Sequence, residues 1–194
     1  MNVATFLNTS INRVSVILTD PAGIDLPASS IELQGPKGQV VGRQTHNGVD
    51  TLFWEFTPLQ TDGSDDGVYQ IRVRPVDTVG NQAVVPLTFT FTYDTRPPII
   101  STSIPAAGET VTSPIEKLTV TLSDSDGSGV DITNSVLKVF KRIGGQPSVT
   151  VPGVQSDDGI NTLVWTFDFP LASDGTDDGT YQVEVVSQHD LECY

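Results

Sequence analysis

The residues of this chain best suited to chemistry are aspartates set in glycine-rich turns. Asp62-Gly63-Ser64-Asp65-Asp66-Gly67 and Asp174-Gly175-Thr176-Asp177-Asp178-Gly179 are near copies of each other, and Asp94, Asp124, Asp126, Asp157 and Asp158 stand in similar polar surroundings. Carboxylates in such company have three uses. Hard oxygens crowded on a loop can coordinate calcium. Two carboxyl groups with separated pKa values can run glycoside hydrolysis. Each side chain can also accept hydrogen bonds from nearby backbone amides and so shape its own turn. Hydrolysis needs an apolar cleft to raise one of the two pKa values, and these acids sit among Gly, Ser and Thr instead. His46 and His189 occupy unrelated positions in the two halves of the chain, so they assemble neither a Ser-His-Asp relay nor a zinc site. No catalytic residue is assigned, and the chain is read as a non-enzyme.

Ten Lys plus Arg against 24 Asp plus Glu give the 194 residues a net charge of −14. That charge repels nucleic acid and anionic membrane surfaces over roughly a Debye length. No apolar run approaches the ~18 residues of a membrane span, and the first ten residues lack the basic and apolar regions of a signal peptide. An exported parent would therefore contain this sequence as an excerpt. The single cysteine, Cys193, excludes an intrachain disulfide, so the core must hold by packing alone, with a free thiol in the tail.

The elements that must position the acids occur twice. Residues 50–73, DTLFWEFTPLQTDGSDDGVYQIRV, match residues 161–185, NTLVWTFDFPLASDGTDDGTYQVEV, which places Trp54 with Trp165, Asp66 with Asp178 and Tyr69 with Tyr181. Val14–Asp20 matches Leu118–Asp124 upstream. A period of somewhat over 100 residues means whole domains in tandem, since solenoids repeat every ~20–50 residues. Period-two alternation between Gly, Pro, Asp and Asn clusters makes the chain all-β. Strands are expected near 2–7, 12–19, 29–34, 39–44, 50–57, 68–75 and 83–93, and near 99–105, 117–124, 135–143, 148–154, 161–168 and 180–187. The inward set is Val14, Val16, Leu18, Leu52, Trp54, Phe56, Tyr69, Ile71 and Val73, repeated by Leu118, Val120, Leu122, Leu163, Trp165, Phe167, Tyr181, Val183 and Val185. Seven short strands point to a Greek-key sandwich. Asp94-Thr95-Arg96-Pro97-Pro98 forms a short, stiff hinge between a first domain at 1–95 and a second at 96–194. Ile143–Pro147 reads as a hairpin tip.

Asp-Asp-Gly-x-Tyr, at 65–69 and 177–181, is the sharpest local signal. In immunoglobulin-like sandwiches a Tyr at the start of strand F bonds back across the E–F corner. With Leu-Ser-Asp and Gly-Val-Asp at 122–131, Thr-Leu-x-Trp-x-Phe, and Val-Asp-Thr-Val-Gly-Asn at 76–81, the chain resembles the bacterial immunoglobulin-like repeats of large surface and adhesin proteins over nearly its whole length. The resemblance implies two tandem immunoglobulin-like Greek-key β-sandwiches and an extracellular or cell-surface place. Ile71 stands where antibody-type domains carry a disulfide cysteine, and the tryptophans precede the tyrosine corner instead of lying in strand C. Core packing accounts for both indoles, because a sugar-stacking role would need them exposed.

The topology the resemblance implies gathers acids at the junction. Asp62, Asp65 and Asp66 come from the first E–F turn, Asp94 from the linker, and Asp124 and Asp126 from the second B–C loop. Cadherins and some adhesin repeats clamp calcium at such junctions, so calcium is the expected cofactor if these residues are a site. Asp124–Gly129 echoes the start of an EF-hand loop, but position twelve is Ser135 and no helices flank it.

The second copy has no counterpart of the first copy's final strand, in which Leu87, Phe89, Phe91 and Tyr93 alternate with Thr; it stops at His189–Tyr194, as expected first of a truncated piece of a longer repeat array and second of a domain completed by a partner's strand. The expected role is a spacer or adhesion module whose partner is a protein or glycan on a cell surface. One alternative is a filament-type subunit completed by strand exchange with further copies, for which Asn2–Leu7 is a candidate donor unless it serves as the first domain's own A strand. The other is an accessory carbohydrate-binding module of a secreted hydrolase.

Overall fold

A computed structural model describes residues 6–125, 127–142 and 148–188. Its strands are β1 (Phe6–Leu7), β2 (Arg13–Ile17), β3 (Ser30–Gly35), β4 (Gly38–Gln39), β5 (Gly42–His46), β6 (Thr51–Phe56), β7 (Gly67–Arg74) and β8 (Leu87–Tyr93), then β9 (Ile99–Ile104), β10 (Ile115–Ser123), β11 (Val136–Arg142), β12 (Val149–Thr150), β13 (Gly153–Asp157), β14 (Thr162–Leu171) and β15 (Thr180–Val186). The chain divides into two compact units, one ending at Arg96 and the other beginning at Pro97.

In the first unit a five-stranded sheet, ordered β1-β8-β7-β3-β4, faces a three-stranded sheet, ordered β2-β6-β5. β1 runs parallel to β8 and the other pairs are antiparallel. In the second unit the four-stranded sheet is β13-β14-β10-β9 and the three-stranded sheet β12-β11-β15. Each unit is an immunoglobulin-like sandwich. Alternation decides which side chains meet between the sheets, because a strand turns successive residues to opposite faces. Val14 stands opposite Trp54 and Val16 opposite Leu52. Val120 stands opposite Leu163 in the equivalent register.

Each unit has its own core. Leu33, Phe56, Leu59, Tyr69, Phe91 and Tyr93 form one cluster of the first unit and Leu18, Leu26, Ile31, Leu52 and Val73 a second. Val14, Trp54 and Ile71 pack against both and join them. The second unit centres on Leu118, Val120, Leu122, Leu137, Val139 and Leu163, with Trp165, Tyr181 and Val185 packed partly buried around them. Both indoles lie half-buried on their cores, as expected. Val183 does not: it is 37% exposed, whereas its counterpart Ile71 is intermediate. In the first unit β8 pairs along the neighbouring edge of the strand, and among the described residues of the second unit no strand takes that place.

Two other expectations need correcting. The described residues form eight strands in the first unit and seven in the second, not seven and six. The cause is the same in both copies. The runs at 39–44 and 148–154, read as single strands, each leave one sheet and enter the other: β4 pairs with β3 and β5 with β6, as β12 pairs with β11 and β13 with β14. Gly42 and Gly153 start the strand after each crossing. A Cβ on Gly42 would come within 2.6 Å of Trp54 Nε1, and one on Gly153 would collide in the same way with Trp165. The indole thus occupies the space that a side chain at the crossing would need, which explains why Gly and Trp recur together. Of the strand expected at 2–7, Phe6–Leu7 pairs with β8 of its own unit, the A-strand role; residues 2–5 lie outside the described residues, as do Ile143–Pro147 of the expected hairpin tip.

Polar side chains repeat as braces. Gln44 Oε1 accepts the Ile31 amide at 2.9 Å while its Nε2 donates to Ser29 O at 2.8 Å. Gln155 makes the same pair of bonds to Leu137 N and Ser135 O. Ser29 and Ser135, both buried, donate through Oγ to the carbonyls of Asp25 and Asp131. These bonds satisfy backbone groups at the sandwich edge that would otherwise be buried without a partner.

Candidate functional site

The acid-rich corner of the first unit forms where β6 turns into β7 and β8 ends. The Tyr69 hydroxyl donates to Asp65 O at 2.7 Å and fixes the turn from inside. Burial, then the nearby Asp65 carboxylate, pushes its phenol up to about 12. The Asp65 carboxylate accepts the Gln60 amide at 2.8 Å and pairs with Lys37 Nζ at 3.0 Å. The Gln60 amide and then Lys37 hold this carboxyl below the ordinary range. Asp66 Oδ1 accepts both the amide (3.1 Å) and the hydroxyl (2.9 Å) of Thr95, tying the turn to the end of β8. Its Oδ2, buried and without a hydrogen-bond partner, faces Arg96 Nε at 3.8 Å. Arg96 also donates to Gly63 O at 2.9 Å. Asp62 Oδ1 accepts the Ser64 amide at 2.9 Å. Asp94, 3% exposed, accepts the Arg96 amide at 3.3 Å.

Four of the six acids singled out in the sequence, Asp62, Asp65, Asp66 and Asp94, therefore share one corner of the first unit. Asp124 belongs to the second unit, where its Oδ2 accepts the Gly129 amide at 2.9 Å on the loop after β10. Asp126 lies outside the described residues. Among the described residues no group of three or more His, Cys, Asp and Glu is arranged to hold a metal ion. The partners Lys37, Thr95 and Arg96 were not legible as such. Lys37 lies in the β3–β4 turn, far along the chain from Asp65, and Arg96 carries no local motif beyond the proline after it.

The second unit repeats the corner. Tyr181 donates to Asp177 O at 2.8 Å, Asp177 Oδ2 accepts the Ala172 amide at 2.8 Å, and Lys141 Nζ lies 3.6 Å from Asp177 Oδ1. The sequence matches no family model and no curated protein. Among solved structures, CopC from Methylosinus trichosporium OB3b is similar over 47% of this chain and 83% of its own, at 20% identity and a TM-score of 0.36. The C-terminal domain of the AgI/II polypeptide BspA of Streptococcus agalactiae is similar over 96% of this chain and 86% of its own, at 8% identity and a TM-score of 0.25. Likenesses so distant transfer no residue roles.

A third acid site is the turn between the two strands that follow each crossing. Asn47 Oδ1 accepts the amides of Val49, Asp50 and Thr51, and in the second unit Asp158 Oδ1 accepts those of Ile160, Asn161 and Thr162 at 2.9 Å. One copy uses a neutral acceptor and the other a charged one. The amide of Thr162 first, then those of Ile160 and Asn161, hold the Asp158 carboxyl down to about 2, against an ordinary 3.8. A depressed folded-state pKa adds stability that is fully present above the unfolded value and lost as pH falls through the folded one. The Asp158→Asn variant should therefore show a flatter loss of melting temperature than the parent chain between about pH 4 and pH 2. Equal slopes would remove the assignment.

Proposed function

We propose that the chain is a non-catalytic spacer or adhesion element of an extracellular or cell-surface protein, built from two sandwich modules. One observation carries this reading. Three pairs of chemically capable side chains that recur between the copies are spent on scaffold: Tyr69 and Tyr181 on corner carbonyls, Asp65 and Asp177 on turn amides, Gln44 and Gln155 on sheet edges. Duplication of this kind preserves a shape that can be strung in series. Among the described residues no helix is long and apolar enough to cross a membrane.

Single-molecule stretching tests the spacer role directly. A load-bearing pair of modules should unfold in two separate events, each releasing about 300 Å of chain, from ~90 residues at up to ~3.6 Å each. A single cooperative event would sink the reading. Antibody against the chain should also label intact, unpermeabilised source cells.

Calcium belongs to the same proposal as a stiffening ion at the acidic corner of the first unit, held by Asp62, Asp65, Asp66 and Asp94. The bonds described above already give these four acids turn-forming roles, so calcium would have to add to them. The expected result is a higher melting temperature in calcium than in chelator, and equal melts dismiss the ion. The carbohydrate-binding alternative is disfavoured by the indoles, since Trp54 donates its Nε1 to Val40 O at 3.2 Å and packs on both clusters of its core.

A further inference from the structure

Away from the acidic corner, the outer face of the first unit's five-stranded sheet carries a pair of arginines. Arg72 and Arg74 alternate on β7 with the buried Val73, so both side chains leave the core and stand side by side on that face. Arg72 is opposite Glu32 of β3 and Thr88 of β8, and Arg74 is opposite Ser30. Ser30, Glu32, Arg72, Arg74 and Pro86 line an open cleft of about 230 Å³.

Every other Lys and Arg of the first unit has a use within the fold. Lys37 pairs with Asp65, Arg43 with Glu55 and Arg96 with Asp66, and Arg13 lies over the Phe53 ring, 4.8 Å from its centroid. Among the described residues neither Arg72 nor Arg74 has a hydrogen-bond or ion-pair partner, although Glu32 stands in register with Arg72. The second unit separates this pair from the shared scaffold. Its equivalent positions carry Glu184 and Val186 on β15, opposite Lys138 and Val136 on β11. Two like charges on neighbouring positions of one face repel each other, and an anion held between them removes that repulsion.

The cleft also selects among anions. Paired guanidiniums present planar donors that match a carboxylate or a phosphate. Glu32 and the net charge of −14 disfavour each added negative charge on a ligand, which favours a single carboxylate over a phosphate dianion or a polyanion. The Glu32 carboxylate accepts hydrogen bonds and the Ser30 hydroxyl both accepts and donates, so the cleft has partners for hydroxyl groups beside its cations. Pro86 adds an apolar wall for the C–H face of a ring.

We propose that this cleft binds a carboxylated sugar, an acidic glycan residue of the uronic type, with Arg72 and Arg74 on its carboxylate and Ser30 and Glu32 on its hydroxyls. Recognition is by charge and hydrogen bonding and uses no aromatic platform, so the packing of the indoles does not bear on it. The inference names a ligand class for the adhesion role proposed above and rests on that reading. Stretching reads the spacer role without the cleft, so either can fail alone.

The test titrates the full chain with methyl glucuronoside at low ionic strength, where exposed charges are least screened, and follows the backbone amides by NMR. Saturable shifts are expected at 30–32, 72–74 and 87–88. Methyl glucoside, which lacks the charge, and acetate, which lacks the hydroxyls, should each bind about tenfold more weakly or worse. Arg72→Ala and Arg74→Ala should each weaken glucuronoside binding about tenfold, and Arg72→Lys, which keeps the charge but loses the planar fork, should weaken it too. Arg43→Ala removes the same charge from β5 in the other sheet, where the side chain is 79% exposed, and should leave the affinity unchanged. If a cleft variant fails to fold, the comparison of the three ligands on the parent chain decides. The proposal is overturned by absence of saturable shifts, by an equal loss in Arg43→Ala, or by acetate or inorganic phosphate binding as tightly as the glucuronoside. A glutamate-containing peptide that binds the cleft more tightly than the sugar overturns it as well.

Discussion

Tyr69→Ala is expected to destabilise the first unit by about 3–5 kcal/mol, the range for removing a large buried aromatic, while Tyr181→Ala costs the second unit distinctly less. Tyr69 is 3% exposed and loses two ring contacts and one hydrogen bond on truncation. Tyr181 is half-buried, faces an open groove, and loses a hydrogen bond and a cation–π contact. The two phenylalanine variants separate packing from hydrogen bonding. Each loses the same bond, to Asp65 O or Asp177 O, so Tyr69→Phe and Tyr181→Phe should cost similar amounts, about 0.5–1.5 kcal/mol. Denaturant unfolding of the four variants reads both comparisons. Equal losses for the two alanine variants would mean that β8 adds nothing to the burial of Tyr69, contrary to its exposure.

The tyrosine corner was legible in the sequence because its parts are close in the chain. Asp65 precedes Tyr69 by four positions, and turn, glycine and ring are read off together. The alternation of Leu52, Trp54 and Phe56 likewise fixed which face of β6 is buried. The change of sheet after β4 was not legible, because Gln39–Arg43 holds no breaker beyond Gly42; after β12 Pro152-Gly153 is a turn signal, and the single strand expected at 148–154 ran through it. What divides them is an indole brought from β6 or β14 onto a glycine, a contact between residues distant in sequence. The acids show the same division. Their clustering at a corner followed from topology, whereas their partners Lys37, Thr95 and Arg96 came from other turns and strand ends. Local geometry was readable, and pairing across the fold needed the fold.

Leu52→Ala and Leu163→Ala should each lower one unfolding transition and leave the other in place. Both leucines are fully buried, at equivalent sites on β6 and β14, opposite Val16 and Val120. Removing a buried leucine costs about 2–5 kcal/mol through lost transfer energy and the cavity left behind. For a domain of this size that is a fall of roughly 10 °C or more, since 1 kcal/mol moves the melting temperature by about 4–8 °C. The clusters around Leu52 and Leu163 share no residue, so calorimetry of the double variant should show both shifts added to within about 0.5 kcal/mol. Movement of both transitions by either single variant would mean one cooperative body and would remove the two-module account. The distinction bears on the proposed role. A series of modules that melt one at a time yields to load by releasing one module's length of chain while its neighbour stays folded, whereas a single cooperative body would release everything at once.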